Sequence, residues 1–129
     1  MEKKNATGNE LILFVDDEEI ILDVCQRMLK RMGYRVVIAK NGKEALNKFK
    51  DLNGIFDLLI TDVYMPYMTG IELAKNILKI KPEIPVILFT GYKDLLIPEK
   101  MESIGIYEIL TKPFTQKEIA SCIKKSLYK

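Results

Sequence analysis

The sequence of 129 residues contains no histidine and only two cysteines. Without histidine the chain can form neither a Ser-His-Asp triad nor a Cys-His pair. It cannot carry a phosphohistidine, and a zinc site would lack its commonest nitrogen ligand. Any chemistry on this chain must therefore use carboxylates, hydroxyls, lysine and a metal ion.

Other absences narrow the class of protein. No apolar run approaches the roughly 20 residues that a transmembrane helix needs, and the polar first ten residues lack the pattern of a signal peptide, so none is expected. Cys25 and Cys122 have no CxxC partner, so we interpret them as reduced core residues of a cytoplasmic protein, with a disulfide as the alternative. The net charge is only +2, and the basic residues do not cluster into a stripe along the sequence. No direct contact with nucleic acid is therefore expected.

The chain length fits one domain, preceded by a flexible leader over residues 1–10. From residue 11 to 129, apolar runs and amphipathic segments alternate five times. Five βα units predict an α/β fold with a parallel sheet and helices on both faces. The predicted strands are 11–15, 35–39, 56–62, 85–90 and 106–111, and the predicted helices begin near 18, 42, 70, 93 and 116.

Helix signals support these boundaries. Capping residues followed three positions later by glutamate are the pairs Asn41 and Glu44, Thr69 and Glu72, and Thr115 and Glu118. The fourth helix, about 93–104, is the weakest because Pro98 falls inside it. The first helix, roughly 18–32, is predicted to bury one face, composed of Ile21, Val24, Cys25, Met28 and Met32.

Unusual polar residues follow the predicted strands: Asp16, Asp17, Asp62, Thr90 and Lys112. In an open parallel sheet, ligands bind outside the carboxyl ends of the strands. Three carboxylates converging there repel one another unless a proton or a cation is present. Mg²⁺ prefers such oxygen ligands, with Asp17 and Asp62 binding directly and Asp16 through water. The alternative for residues 16–19 is an acidic helix N-terminus, which we prefer for Glu18 and Glu19.

Asp62 is also a candidate nucleophile, because carboxylates form aspartyl-phosphate intermediates. Thr90 offers a hydroxyl donor and Lys112 a positive charge for the transferred oxygens. Taken alone, Thr90 is a strand-end threonine and Lys112 a solvated lysine. Together with the three aspartates they form a complete set for phosphoryl transfer.

Four motifs carry a resemblance to a known family: V-D-D-E at 15–18, T-D-V-Y-M-P-Y-M-T-G at 61–70, V-I-L-F-T-G at 86–91 and T-K-P-F at 111–114. In this order, over about residues 11–128, they resemble the receiver domain of two-component response regulators. The resemblance implies a doubly wound, flavodoxin-like (βα)5 fold with strand order 2-1-3-4-5. It implies a phosphorelay receiver that is no enzyme beyond its own phosphorylation and slow dephosphorylation.

The resemblance also implies residue roles. Asp62 matches the phospho-acceptor, Asp16 and Asp17 the acidic pair that binds Mg²⁺, and the backbone carbonyl of Tyr64 a further metal ligand. Thr90 matches the switch hydroxyl, and Lys112 matches the lysine that pairs with the phosphoryl group. The bond to Pro113 is expected to be cis, and Gly70 matches a loop glycine. The implied phosphodonor is a histidine kinase or a histidine phosphotransfer protein.

Two departures from the family pattern concern aromatic residues. Ile109 stands three residues before Lys112, where the family often has an aromatic that couples to the threonine, and Tyr107 lies two places earlier. The resemblance therefore does not imply, for this chain, the usual coupling between the threonine and an aromatic side chain. Tyr64 and Tyr92 each lie two residues beyond a site residue, where side chains tune phosphoryl lifetime. Two bulky rings there restrict attacking water or are simply loop tyrosines.

Competing interpretations remain at this point. The receiver fold also supports a phosphate-independent interaction module, and a flavodoxin-like redox protein is disfavoured because residues 16–19 would repel a phosphate. The protein context is either a single-domain regulator or the C-terminal receiver of a hybrid sensor histidine kinase, which the motifs also resemble. On the first helix, Ile20 and Leu22 flank the predicted core face. They either pack against neighbouring helices or form an exposed docking patch for the phosphodonor.

Overall fold

Short apolar runs form the strands of the domain, and amphipathic segments form the helices between them. The computed structural model describes residues 9–92 and 95–128. Within this part of the chain, strands and helices alternate in the predicted order: β1 Leu11–Val15, α1 Glu19–Arg31, β2 Arg35–Ala39, α2 Gly42–Asp51, β3 Leu58–Asp62, α3 Gly70–Ile80, β4 Val86–Thr90, α4 Pro98–Ser103, β5 Glu108–Thr111 and α5 Gln116–Leu127.

All neighbouring strands pair in parallel, in the order β2-β1-β3-β4-β5. The predicted doubly wound fold is therefore confirmed. β1 lies between β2 and β3, and Val15 at the end of β1 pairs with Thr61 in β3. This register brings the carboxyl ends of β1 and β3 side by side, so residues 46 positions apart in sequence can share one site.

The core consists of two apolar layers, one on each face of the sheet. Alternate residues of β1 enter different layers, because successive side chains of a strand point to opposite faces. Leu13 and Val15 pack in the layer with α2, α3 and α4, whereas Ile12 and Phe14 pack with α1 and α5. β1, β3 and β4 are buried along their whole length, which explains their continuous apolar sequence.

The predicted starts of α2, α3 and α5 are confirmed by their capping hydrogen bonds. Asn41 accepts the backbone N–H of Glu44, and capping boxes open both α3 and α5, with Thr69 and Thr115 as the capping residues. These local bonds satisfy backbone donors that an isolated helix end leaves unpaired. They fix the point at which each loop turns into its helix.

The predicted buried face of α1 was correct except for Val24, and it left out Leu22 and Leu29. Ile21, Met28 and Met32 are partly buried and pack with Cys25 against the core layer of α1 and α5. α1 buries Leu22, Cys25 and Leu29, whereas Val24 is 55% exposed. The stripe beginning at Ile21 and the one beginning at Leu22 both recur at helical spacing. The stripe with Leu22 and Leu29 is the buried centre of the face, and the stripe that begins at Ile21 lies beside it and is partly buried. Ile20 is 78% exposed, so of the two expected flanking residues only Ile20 is available at the surface.

Several boundaries also differ from the predictions. β3 and β5 each begin two residues later than predicted, at Leu58 and Glu108, and β4 begins one residue later. α4 begins at Pro98, which occupies the first turn rather than the interior of a longer helix. A proline is tolerated there because its missing N–H would have no helical partner; residues 93–94 of the predicted helix lie outside the described residues. Residues 1–8 of the predicted leader also lie outside them, but Glu10 is buried and accepts a hydrogen bond from the Tyr128 hydroxyl at 2.8 Å.

The helices of the described residues are too short or too polar to cross a membrane.

The loop between β3 and α3 passes very close to the end of β3. The N–H of Gly70 donates to the carbonyl oxygen of Val63 at 2.8 Å. A Cβ atom on Gly70 would overlap with the backbone carbonyl oxygen of Asp62, and this oxygen cannot move without displacing the strand end. Glycine at residue 70 is therefore a condition for the position of Asp62.

We expect Gly70→Ala to lower the free energy of unfolding by about 1–3 kcal/mol or more, as overpacking against fixed atoms does. Gly91→Ala is the matched control, because a Cβ there meets nothing within 4 Å. The control should unfold within about 0.5 kcal/mol of wild type. Urea unfolding of the two variants measures the difference, and equal stabilities would contradict the close approach.

Candidate functional site

A cluster of three carboxylates lies at the carboxyl edge of the sheet. Asp16 and Asp17 follow β1, and Asp62 is the last residue of β3. Each side chain places an oxygen within 4.8 Å of the others. Asp16 and Asp62 are buried, whereas Asp17 is exposed. The structure therefore brings together the three predicted aspartates, two of them shielded from water and one open to it.

Lys112 supplies positive charge to this cluster. Its Nζ lies 3.3 Å from Oδ2 of Asp62 and 3.4 Å from Oδ2 of Asp16. The backbone N–H of Lys112 donates to the carbonyl oxygen of Thr90 at 2.9 Å, and the bond to Pro113 is cis. The Nζ atom also lies 4.9 Å from the centre of the Phe89 ring, within cation-π range. These contacts hold the ammonium group over the ends of β1, β3 and β4.

Burial makes ionisation of the two inner carboxylates unfavourable. Desolvation raises the pKa of Asp16 to about 6, against a hydrogen bond from the Glu18 N–H and the charge of Lys112, which lower it. Desolvation also raises the pKa of Asp62, although Lys112 and the backbone of Tyr64 counteract it. Burial alone would lower the pKa of Lys112, but Asp62 and Asp16 attract its charge, and the net result is a raised pKa. The cluster thus favours any additional positive charge.

Thr90 ends β4 and is fully buried. Its hydroxyl oxygen accepts the backbone N–H of Tyr92 at 2.9 Å. This bond ties the hydroxyl to the first turn of the loop after β4. The hydroxyl group can donate its own hydrogen in the direction of the cleft that Thr90 helps to line.

Two tyrosines form one side of the cleft above the carboxylates. The rings of Tyr64 and Tyr92 meet edge to face, with centroids 5.7 Å apart and an interplanar angle of 81°. The cleft has a volume of about 510 Å³ and is also lined by Asp17, Asp62, Lys112 and others. Both rings remain partly exposed at its mouth. The sequence placed each tyrosine near the site, but their mutual contact joins two loops and has no local sequence signal.

Two residues at the site have roles that the sequence did not reveal. Glu18, interpreted above as a helix N-terminal residue, makes no side-chain capping bond. Its carboxylate instead lies 3.8 Å from Lys112 Nζ, and its backbone N–H donates to Asp16 Oδ1 at 2.8 Å. Phe89 is the second of these residues, and its ring contacts the ammonium group of Lys112. The adjacency of Glu18 to the aspartate pair was the available signal, whereas the contact with Phe89 depends on pairing between β4 and β5.

The position of Ile109 bears on the missing aromatic. Ile109 is half-buried and packs against the core layer of α2, α3 and α4. Tyr107 is 62% exposed and lies before β5 begins. Neither residue provides a buried aromatic ring behind Thr90 at this point of β5. The aromatic residue that is linked to Thr90 is instead Tyr92, on the loop after β4, whose backbone N–H donates to the Thr90 hydroxyl oxygen.

The donor set of the cluster fits Mg²⁺. Mg²⁺ is a hard cation that binds one or two carboxylates and keeps several waters. Asp17 is exposed and can exchange its water for the ion, and Asp62 opens into the same cleft. A divalent cation would relieve the repulsion that Lys112 balances only in part.

Comparison with known proteins gives a consistent result. The family model for the response regulator receiver domain matches residues 12–124. The sensor kinase CckA of Brucella abortus is 32% identical over 125 residues, which are 97% of this chain but 13% of that protein, so the chain spans a small part of this relative. The receiver domain structure from Clostridium thermocellum superposes with a TM-score of 0.85 at 32% identity, covering 92% of this chain and 94% of that one.

A further solved structure contains the site's implied ligand. The response regulator protein TrrA from Thermotoga maritima was solved in complex with Mg²⁺ and BeF, and it is 36% identical to this chain. The TM-score is 0.80, and the match covers 92% of this chain and 99% of that one. Mg²⁺ binding therefore occurs among the structural relatives of this chain.

The raised pKa of Asp16 predicts the pH dependence of stability without metal. The folded-state pKa of about 6 exceeds the ordinary aspartate value of 3.8. Asp16 therefore contributes stability that is complete below about pH 4 and is lost as the pH rises through 6. At about 1.4 kcal/mol per pKa unit, the loss is at most about 3 kcal/mol.

Asp16→Asn keeps the acceptor for the Glu18 N–H but cannot ionise. In metal-free buffer this variant should lose less stability than wild type between pH 4.5 and 7.5, and it should be the more stable protein at pH 7.5. Urea unfolding at both pH values measures this difference. If both proteins lose the same free energy of unfolding between the two pH values, the ionisation of Asp16 does not destabilise the fold.

Proposed function

This chain belongs to the family of response regulator receiver domains, and we propose that it accepts a phosphoryl group on Asp62 in a two-component phosphorelay. The observation that carries the assignment of Asp62 is its position. It ends the central strand β3, shares a cluster with Asp16 and Asp17, and lies 3.3 Å from the ammonium group of Lys112. No other aspartate of the described residues combines these features.

In the proposed reaction a carboxylate oxygen of Asp62 attacks the phosphorus atom of a phosphohistidine. The new P–O bond forms as the P–N bond breaks, and the electron pair of that bond returns to the imidazole of the donor. Asp62 must be ionised to attack. Lys112 favours the ionised form, against the desolvation that raises the pKa of Asp62.

Lys112 and Thr90 act on the charge of the transferred group. Lys112 can exchange its contact with Asp62 for a phosphoryl oxygen, because its long side chain already lies over the strand ends. Thr90 can donate its hydroxyl hydrogen to another phosphoryl oxygen, in a site where little water competes. Both interactions strengthen as negative charge accumulates on the oxygens.

Asp16 and Asp17, with Asp62 and the backbone carbonyl of Tyr64, are the groups that we propose hold Mg²⁺. When bound there, the ion would supply positive charge toward the carboxylates and the phosphoryl oxygens. Asp17 is exposed and provides the entry point. Asp16 is fixed by the N–H of Glu18 and by Lys112, so its orientation is set before the ion binds.

The phosphodonor must be another histidine-bearing site, because this sequence contains no histidine. We propose a histidine kinase or a histidine phosphotransfer protein in that role. Ile20 lies on the first turn of α1, next to the carboxylates, and its 78% exposure leaves it available for contact with the donor. The free thiols Cys25 and Cys122 are consistent with a reducing compartment, and we place the protein in the cytoplasm without direct contact to DNA or to a membrane.

Receiver domains of response regulators are signalling domains rather than classical enzymes. We propose that this one catalyses only its own phosphorylation and its slow hydrolysis. The edge-to-face pair of Tyr64 and Tyr92 lines the cleft together with Asp62, and we propose that the two rings hinder the approach of water to the phosphorylated Asp62. This arrangement favours a long-lived phosphorylated state.

Incubation with acetyl phosphate and Mg²⁺ should add one phosphoryl group to the wild-type chain. Intact mass measurement detects the addition, and Asp62→Asn should prevent it because the amide is not a nucleophile. Asp57→Asn, which changes the aspartate just before β3, is the control and should be phosphorylated like wild type. A phosphoryl group that persists in Asp62→Asn would refute the assignment. Failure of the wild type to react would instead favour a phosphate-independent interaction module on the same fold.

Mg²⁺ should stabilise the folded protein, because the ligands come together only in the fold. At a concentration 100 times the dissociation constant, the gain is about 2.7 kcal/mol. Asp17→Asn should remove most of this gain. Glu19→Gln, which changes another exposed carboxylate two residues away, should not. Thermal unfolding with and without Mg²⁺ measures both, and an unchanged response in Asp17→Asn would overturn the metal assignment.

A further inference from the structure

Tyr67 is a bulky residue in a conformation that suits smaller ones. Its φ angle is 69°, and the N–H of Met68 donates to the carbonyl oxygen of Pro66 at 2.8 Å across it. This is the rarer and more strained of the two γ-turn forms. Glycine adopts positive φ more readily because it has no Cβ atom to approach the following carbonyl oxygen, and asparagine does so because its short polar side chain can form local hydrogen bonds. Local stability therefore does not account for a tyrosine here.

Packing does not account for the tyrosine either, because its side chain is fully exposed at 106% of the reference area. Its neighbours, by contrast, are fixed. Met65 is buried, and Met68 packs against the core and against Gly42 at the start of α2. The N–H of Gly70 is bonded to Val63. The loop thus presents the Tyr67 ring to solvent from a firmly held turn.

The location of this turn relates it to the cleft. Tyr67 follows Asp62 by five residues, on the loop that leads into α3 and packs on the face of α2 and α3. Ile20 lies on α1, which covers the opposite face of the sheet. The two exposed side chains therefore stand on opposite sides of the carboxylate cluster. A protein that brings a phosphohistidine to Asp62 must cover the cleft between them.

We infer that Tyr67 is a contact residue for the protein phosphodonor, on the α3 side of the cleft and opposite Ile20. This inference rests on the proposed function of Asp62. An exposed tyrosine on a rigid turn offers a large contact area and loses little conformational entropy on binding. The strain of the turn is then retained for recognition, as is common for strained residues at functional sites.

The test compares two phosphodonors. One is acetyl phosphate, and the other is the autophosphorylated histidine kinase that transfers fastest to the wild-type chain within a purified panel. Tyr67→Asn suits the turn but removes the ring. It should reduce kcat/KM for transfer from the kinase about tenfold, mainly through KM, as loss of an interface anchor does. The rate with acetyl phosphate and the melting temperature should be equal to or above the wild-type values.

Three further variants make the result specific. Tyr67→Phe should transfer within about twofold of wild type, because the ring remains. Tyr107→Asn changes another exposed tyrosine, at the opposite edge of the sheet, and should behave like wild type. Ile20→Ala should slow transfer from the kinase but not from acetyl phosphate, which marks the other side of the same interface.

Several outcomes would overturn the inference. An unchanged rate from the kinase in Tyr67→Asn would exclude the contact, and equal slowing with both donors would assign the defect to the site itself. A wild-type dimer in sedimentation that dissociates in Tyr67→Asn would assign the ring to a second copy of the chain. If acetyl phosphate reacts but no kinase of the panel does, the protein donor is refuted while Asp62 remains the acceptor. If wild type does not react even with acetyl phosphate, the proposed function itself fails.

Discussion

The ion pairs of Lys112 with Asp16 and Asp62 make it possible to bury two carboxylates at the end of a parallel sheet. Removing charged groups from water is costly, and this cost raises the pKa of both acids. One ammonium group cannot neutralise three carboxylates. The fold therefore leaves negative charge uncompensated at one point. This charge favours the proposed binding of Mg²⁺, on which the proposed chemistry at Asp62 depends.

The strand order converts distant sequence positions into this single site. β1 and β3 are neighbours, so Asp16 and Asp62 meet, and the pairing of β4 with β5 brings Lys112 over both. Loop geometry then adjusts the positions. The absence of a side chain at Gly70 lets the loop after β3 return against the carbonyl of Asp62, and the bond between Thr90 and Tyr92 shapes the loop after β4. The site is thus a product of the whole sheet edge rather than of any one segment.

Features with a local physical cause could be predicted from the sequence, and features that depend on packing could not. Continuous apolar runs and capping pairs such as Thr69 and Glu72 are local, so the five units and the gathering of the aspartates were predicted correctly. The burial of Leu22 and the exposure of Val24 in α1 were not, because adjacent stripes have the same helical spacing and only contact with the sheet selects Leu22 over Val24. The contact of Tyr64 with Tyr92 and the approach of Glu18 to Lys112 likewise arise only when separate loops meet.

The contact between Tyr64 and Tyr92 has a spectroscopic consequence. The sequence contains six tyrosines and no tryptophan, so tyrosine emission is not masked by energy transfer to an indole. Two of these six fluorophores touch each other at the mouth of the cleft, within reach of any charge that enters it. The unlabelled domain therefore carries its own optical probe of the carboxylate cluster, located where a ligand would alter the environment of both rings.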